Sequence, residues 1–203
     1  MCVIIVSCHK DYVEITPEDG PDETHEWVDL GLPTGTLWAT CNVGVEVPSE
    51  VGLKVTWGDT EYNSGLPIPS YKWGDGTETG VMKYMRWVDH MTEVLEEDDV
   101  AVAMWGSGWR TPTMDQFQEL IDNCSWEWTE LDGRAGMKVT GAGGASIFLP
   151  SNLTTIISSY WTRTLCTTKD SHAFSFEIYH SGLHRVVGDY RWNSYPVRPV
   201  RAQ

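Results

Sequence analysis

The chain has 203 residues, of which 41% are hydrophobic and 11% aromatic, and a formal net charge of −15. That is enough apolar material for one domain with a good core, and too much for a disordered polymer. The acidity excludes a nucleic-acid or anionic-membrane surface, which needs clustered Lys and Arg; its plain role is solubility.

The first residues, "MCVIIVSCHKDY", carry an apolar run ending at Val6-Ser7-Cys8. The pattern fits the end of a bacterial lipoprotein signal, with Cys8 as the lipidated residue and a lipid anchor as its consequence. The run is short and lacks a basic leader, so it reads equally as a short N-terminal strand. No span reaches the roughly 20 apolar residues of a transmembrane helix. Residues 9 to 26, "HKDYVEITPEDGPDETHE", are acidic with two prolines and read as a linker. Residues 1–25 are therefore a tether and 26–203 the domain.

"EWVDLGLPTGTLWATCNVG" predicts a strand, a turn at Pro33-Thr34-Gly35 and a second strand over 36–42. The section that follows is rich in Gly, Pro and Ser, and is pinned by Trp57, Tyr71 and Trp73. The acids at 96–99 before "VAVAMW" suit the positive end of a helix. Thr113 and Gln116 have capping-box spacing, and Phe117, Leu120 and Ile121 share a face, so 114–123 is predicted helical. Strands follow at "MKVTG", "ASIFLP", "SYWTRTL", "HAFSFEIYH", "LHRVV" and "YPVRPV". Helices first and an antiparallel sheet second give an α+β expectation.

"AFSFEIYHSG" alternates, with Phe174, Phe176 and Ile178 on the predicted core face and Ser175, Glu177 and Tyr179 opposite. The next stretch, "LHRVVGDYRWNS", has no matching alternation. Its outward positions are poor in Lys and Glu and rich in Tyr, Trp, Arg, His and Ser. That bias is typical of binding surfaces, where rigid aromatics bury area at low entropic cost.

The blocks "EWVDLGLPTGTLWATCNVG", "MWGSGWRTPTMDQFQELIDNCSWEW", "SIFLP", Tyr160-Trp161 and the terminal "VRPVRA" together resemble the Fibrobacter succinogenes major paralogous domain of Bacteroidetes surface lipoproteins. That domain is similar to the formylglycine-generating-enzyme branch of the C-type lectin fold. The resemblance implies a C-type lectin-like fold with two short helices, antiparallel sheets and long irregular loops. The C-terminal part, about 160–195, further resembles the variable proteins of diversity-generating retroelements, whose contact positions are diversified. Tyr160, Trp161, Phe176, Gly182, Val197, Arg198, Pro199 and Val200 match the framework. The resemblance implies a non-enzymatic, ligand-binding protein on a bacterial cell surface or phage virion, with a protein or glycan ligand. It assigns ligand contact to Arg163, Leu165, Glu177, Tyr179, His180, Leu183, Arg185, Val187, Asp189, Tyr190 and Trp192. A structural or fimbrial-type adhesin domain with a fixed partner, and a glycan lectin, are the competing readings.

Other chemistry is weaker. Formylglycine generation needs paired reactive cysteines, and none stand in matching positions, so kinship of fold does not carry activity. Five cysteines leave at least one unpaired; Cys41 and Cys124 suit either a disulfide or a reduced apolar pair. His180 and His184 have helical zinc spacing, but Gly182 between them breaks the helix. Asp75 and Glu78 in "WGDGTETG" fit a solvated turn better than calcium. "GAGG" at 141–144 has no basic residue or capped helix after it and is no phosphate loop. The tryptophans at 105, 109, 126 and 128 read as core. No metal or cofactor is expected, and the sequence leaves the oligomeric state open.

Overall fold

A computed structural model describes residues 25–62, 70–77, 80–152 and 156–201. Cys8 and nearly all of the tether lie outside the described residues, as does Glu78. The elements run β1 (Trp27–Asp29), β2 (Leu37–Ala39), a 3-10 turn (Glu96–Asp98), α1 (Val100–Trp105) and α2 (Met114–Asn123). Then come β3 (Ser125–Leu131), β4 (Arg134–Thr140), β5 (Ser146–Pro150), β6 (Ile157–Leu165), β7 (His172–Tyr179), β8 (His184–Tyr190) and β9 (Val200–Arg201).

The strands form three antiparallel three-stranded sheets, ordered β1-β2-β9, β3-β4-β5 and β6-β7-β8. The α+β, C-type lectin-like expectation is therefore overturned. The helices have only six and ten residues, and antiparallel β structure dominates. The physical reason lies in "SWEWTEL", a stretch to which no element is assigned from sequence. Its tryptophans alternate with Glu and Thr at period two, and it forms β3, paired through all seven residues with β4. The terminal "YPVRPV" departs from expectation in the other direction. Two prolines remove ladder donors, and only Val200–Arg201 joins a sheet.

Helix α2 forms over the predicted residues. Thr113 accepts from the Gln116 N–H while the Gln116 side chain accepts from the Thr113 N–H, closing a capping box. Asp99 caps α1 by accepting from the Ala101 N–H at 2.9 Å.

The β6-β7-β8 sheet lies between two cores. Tyr160, Phe176 and Ile178 join Trp38, Phe117 and Leu120 in one. Trp161, Leu165 and Ala173 point the other way and join Trp57, Tyr84, Trp105 and Trp109. Each large side chain so buried contributes roughly 2–3 kcal/mol of apolar transfer. Trp57 Nε1 donates to the Thr162 carbonyl at 2.8 Å and Trp161 Nε1 to that of Val55 at 2.9 Å, which ties the 55–57 segment to the sheet.

Two buried arginines fix the C-terminal stretch. Arg191 donates to the Tyr71 hydroxyl and to the carbonyls of Asp170 and Lys83, each at 2.9 Å. Arg198 donates to Asn42 Oδ1 and to the carbonyls of Ala39, Thr40 and Phe148. Burial lowers the Arg198 pKa to about 10.

Candidate functional site

The second face of the sheet is only half covered. Trp161, Leu165 and Ala173 fill its upper part, with Val187 in the Trp161 row, and the lower part carries Ser159, Glu177, Tyr179 and Arg185. Glu177 and Tyr179 share this face because they are two apart on β7, and Arg185 stands opposite Glu177 on β8. Glu177 Oε2 accepts from the Tyr179 hydroxyl at 2.6 Å and from Arg185 Nε at 3.0 Å. Arg185 Nη2 donates to the same hydroxyl at 2.6 Å. Donation to Glu177 holds the Tyr179 hydroxyl above its usual pKa, and Glu177 likewise raises that of Arg185. The triad is a rigid polar patch with most of Arg185 in water.

A cavity of about 340 Å³ adjoins this patch. Ser159 and Glu177 form one wall, Ile157 and Pro150 an apolar floor, and Lys54 and Tyr195 the far side. Tyr195 is fixed there by Asp189, which accepts its hydroxyl hydrogen bond and also bonds Asn193 Nδ2 and the Tyr190 N–H. Burial, and then the bond to Asp189, push the Tyr195 pKa up.

The eleven contact positions assigned from sequence divide by environment. Tyr179, His180, Leu183, Arg185, Val187 and Tyr190 are partly or fully exposed on β7–β8 and its turn. Leu183 is 53% and Tyr190 44% exposed. Glu177 is largely covered, with 13% of its side chain accessible, and acts as the acceptor at the centre of the triad. Asp189 organises the 189–195 turn. Arg163 pairs with Glu93 at 3.0 Å, against the 92–94 segment and apart from the triad. Two assignments are corrected. Leu165 is fully buried in the second core, and Trp192 is 7% exposed, so neither reaches a ligand. Leu165 lies on the same side of β6 as Trp161, where the second core and the 92–94 segment cover it. Trp192 is drawn in beside Arg191, whose guanidinium anchors that turn. The alternation read from β7 is also altered. Ser175 is buried because the second core covers its face at Trp161, and Phe174 is only half-buried.

The hairpin end is braced by β3. His184 stacks on Trp126 at 4.0 Å between centroids, and His180 tilts against Trp128 at 4.8 Å. Among the described residues no group of three His, Cys, Asp or Glu is arranged to hold a metal. Asp75 folds back onto Thr77, accepting from its N–H and hydroxyl. Cys41, Cys124 and Cys166 are free thiols.

Sequence reasoning missed one exposed cluster. Met82, Trp87 and Val88 are 59%, 75% and 68% accessible. Arg86 Nη1 donates to the Thr167 carbonyl at 3.0 Å, which ties this loop to the one before β7. "YMRWVDHM" has the same aromatic, Met and Arg bias that marks the C-terminal stretch, and that bias could have found it.

No family profile, no curated protein and no solved structure matches this chain.

Proposed function

We propose that this protein is a non-enzymatic binding protein. It recognises a protein or glycan ligand on a cell surface through the exposed residues of the β7–β8 hairpin. Its contact residues are diversified in the manner of the variable proteins of diversity-generating retroelements, on a bacterial surface or a phage virion. The supporting observation is the division within one hairpin. Tyr179, His180, Leu183, Arg185 and Tyr190 reach solvent, whereas Ala173, Phe176 and Ile178 between them are fully buried. Contacts on such a strand can change while the core stays fixed. The cavity beside Glu177 and Lys54 gives a ligand side chain a place to insert.

The reading is tested by sequencing the locus across a bacterial or phage population. Substitutions should gather at Tyr179, His180, Leu183, Arg185, Val187 and Tyr190 and spare Leu165, Phe176 and Trp192. A template repeat and a reverse-transcriptase gene should lie nearby. Substitutions spread evenly over exposed residues of the whole domain would remove the proposal.

A further inference from the structure

The outer edge of β8 is open. The Tyr179 N–H donates to the Leu183 carbonyl at 2.8 Å, and the Arg191 N–H to the Ser171 carbonyl at 3.1 Å. These bonds fix the parity of the hairpin. The odd residues of β8 exchange hydrogen bonds with β7, so the N–H and C=O groups of His184, Val186, Gly188 and Tyr190 point away from it. Tyr190 satisfies its own, through the Asp189 carboxylate and the Asn193 N–H. Among the described residues no strand pairs with β8 on that side, and no partner is seen for the backbone of Val186 or Gly188.

Natural sheets blunt such edges with Lys, Pro, bulges or a very short strand. β8 has seven residues in unbroken register, with neither Lys nor Pro. Its charges are also self-complementary. Arg185 and Asp189 flank Val187 at minus two and plus two.

We infer that β8 pairs antiparallel with β8 of a second copy of this chain, about a two-fold axis at Val187. This inference concerns the sequence as it stands: where the ligand-binding reading holds and Arg185 or Val187 is substituted, the pairing weakens. The axis sets Val187 against its symmetry mate and Arg185 against the second copy's Asp189, twice. Opposite charges directly across a ladder favour the pairing, and any register in which Arg185 faced Arg185 would oppose it. The same axis sets Val186 across from Gly188. Both residues have outward-facing backbone groups, so each Val186–Gly188 pair closes two hydrogen bonds. The product is a continuous six-stranded sheet with the two Glu177–Tyr179–Arg185 patches on one face. A contact of one strand per copy is small, so the dimer is weak. The −15 charge on each copy opposes it further at low ionic strength.

Sedimentation of the full chain over a concentration series, at about 0.15 M salt where the Debye length is ~8 Å, tests this. The expected result is reversible dimerisation, with amide exchange at Val186 and Gly188 slowing as concentration rises. Val186→Pro removes an outward N–H that β7 does not use, a place where an edge strand tolerates proline. Val186 is half-buried against the first core, so the variant should melt about 2–4 °C lower but stay folded, and dimerisation should weaken at least tenfold. Arg185→Glu should weaken it similarly. A chain that stays monomeric up to about 1 mM, where binding free energy is only ~4 kcal/mol, would overturn the inference. So would a dimer that Val186→Pro leaves intact, or one without slowed exchange at Val186 and Gly188.

Discussion

Tyr190 and Trp192 are two residues apart and stacked, with centroids 4.7 Å apart and planes at 21°. Their roles nevertheless differ. Trp192 is 7% exposed and Tyr190 44%, so one ring is the floor and the other its lid. Truncating the floor leaves a cavity, and Trp192→Ala should cost about 3 kcal/mol. Tyr190→Ser keeps the core and loses the stacked pair and part of the ring's burial, about 1 kcal/mol. At roughly 2–4 °C per kcal/mol for a chain of this size, the two variants should differ by several degrees in thermal melting. Equal shifts would show that both rings belong to the core, and the contact role given to Tyr190 would fail with them.

At the scale of elements, the β7–β8 hairpin depends on its turn. Gly182 has φ of +84°, and a Cβ added there would meet no atom within 4 Å. The cost of Gly182→Ala is therefore conformational alone, about 1 kcal/mol. Gly136 is the contrasting case, because a Cβ there would lie 2.4 Å from the Leu149 carbonyl oxygen. Gly136→Ala should destabilise several-fold more in urea unfolding, although its φ is not positive. Where such local rules were visible, the sequence was legible. The capping box marked α2, the acidic run marked the start of α1, and a period-two pattern marked β7. Legibility ended where tertiary contacts decide. Leu165 is buried because the distant 92–94 segment and the second core cover its end of β6, which no local pattern encodes. Trp192 follows the Arg191 anchor, whose acceptors lie 21 and 108 residues away. Strand β3 was hidden because its tryptophans abut the helical pattern of α2. The Glu177–Tyr179–Arg185 triad falls between these cases. The spacing of Glu177 and Tyr179 put them on one face, but the partner across the ladder required the register.

At the scale of the whole molecule, one ion cluster holds the 72–84 segment onto the 3-10 turn. Asp98 has 4% of its side chain accessible and accepts from Lys72 at 3.1 Å, Lys83 at 2.6 Å and the Tyr84 hydroxyl at 2.6 Å. Burial pushes the Asp98 carboxyl up, but the bonds from Lys83, Tyr84 and Lys72 outweigh it, and its pKa falls below the ordinary value of 3.8. A carboxylate depressed in the folded state stabilises the fold above its unfolded pKa. That contribution is lost as pH falls through the folded value. The next residue has the opposite sign. Burial raises the Asp99 pKa, so protonating it on acidification relieves a cost of folding. In urea unfolding between pH 6 and pH 2, the wild type should lose stability below about pH 4, where unfolded carboxylates titrate. Asp98→Asn should be less stable at pH 6, because it leaves Lys72 and Lys83 without their carboxylate, and its acid limb should be flatter. A variant whose curve parallels the wild type through the whole acid range would mean that Asp98 is not the group that couples this cluster to folding.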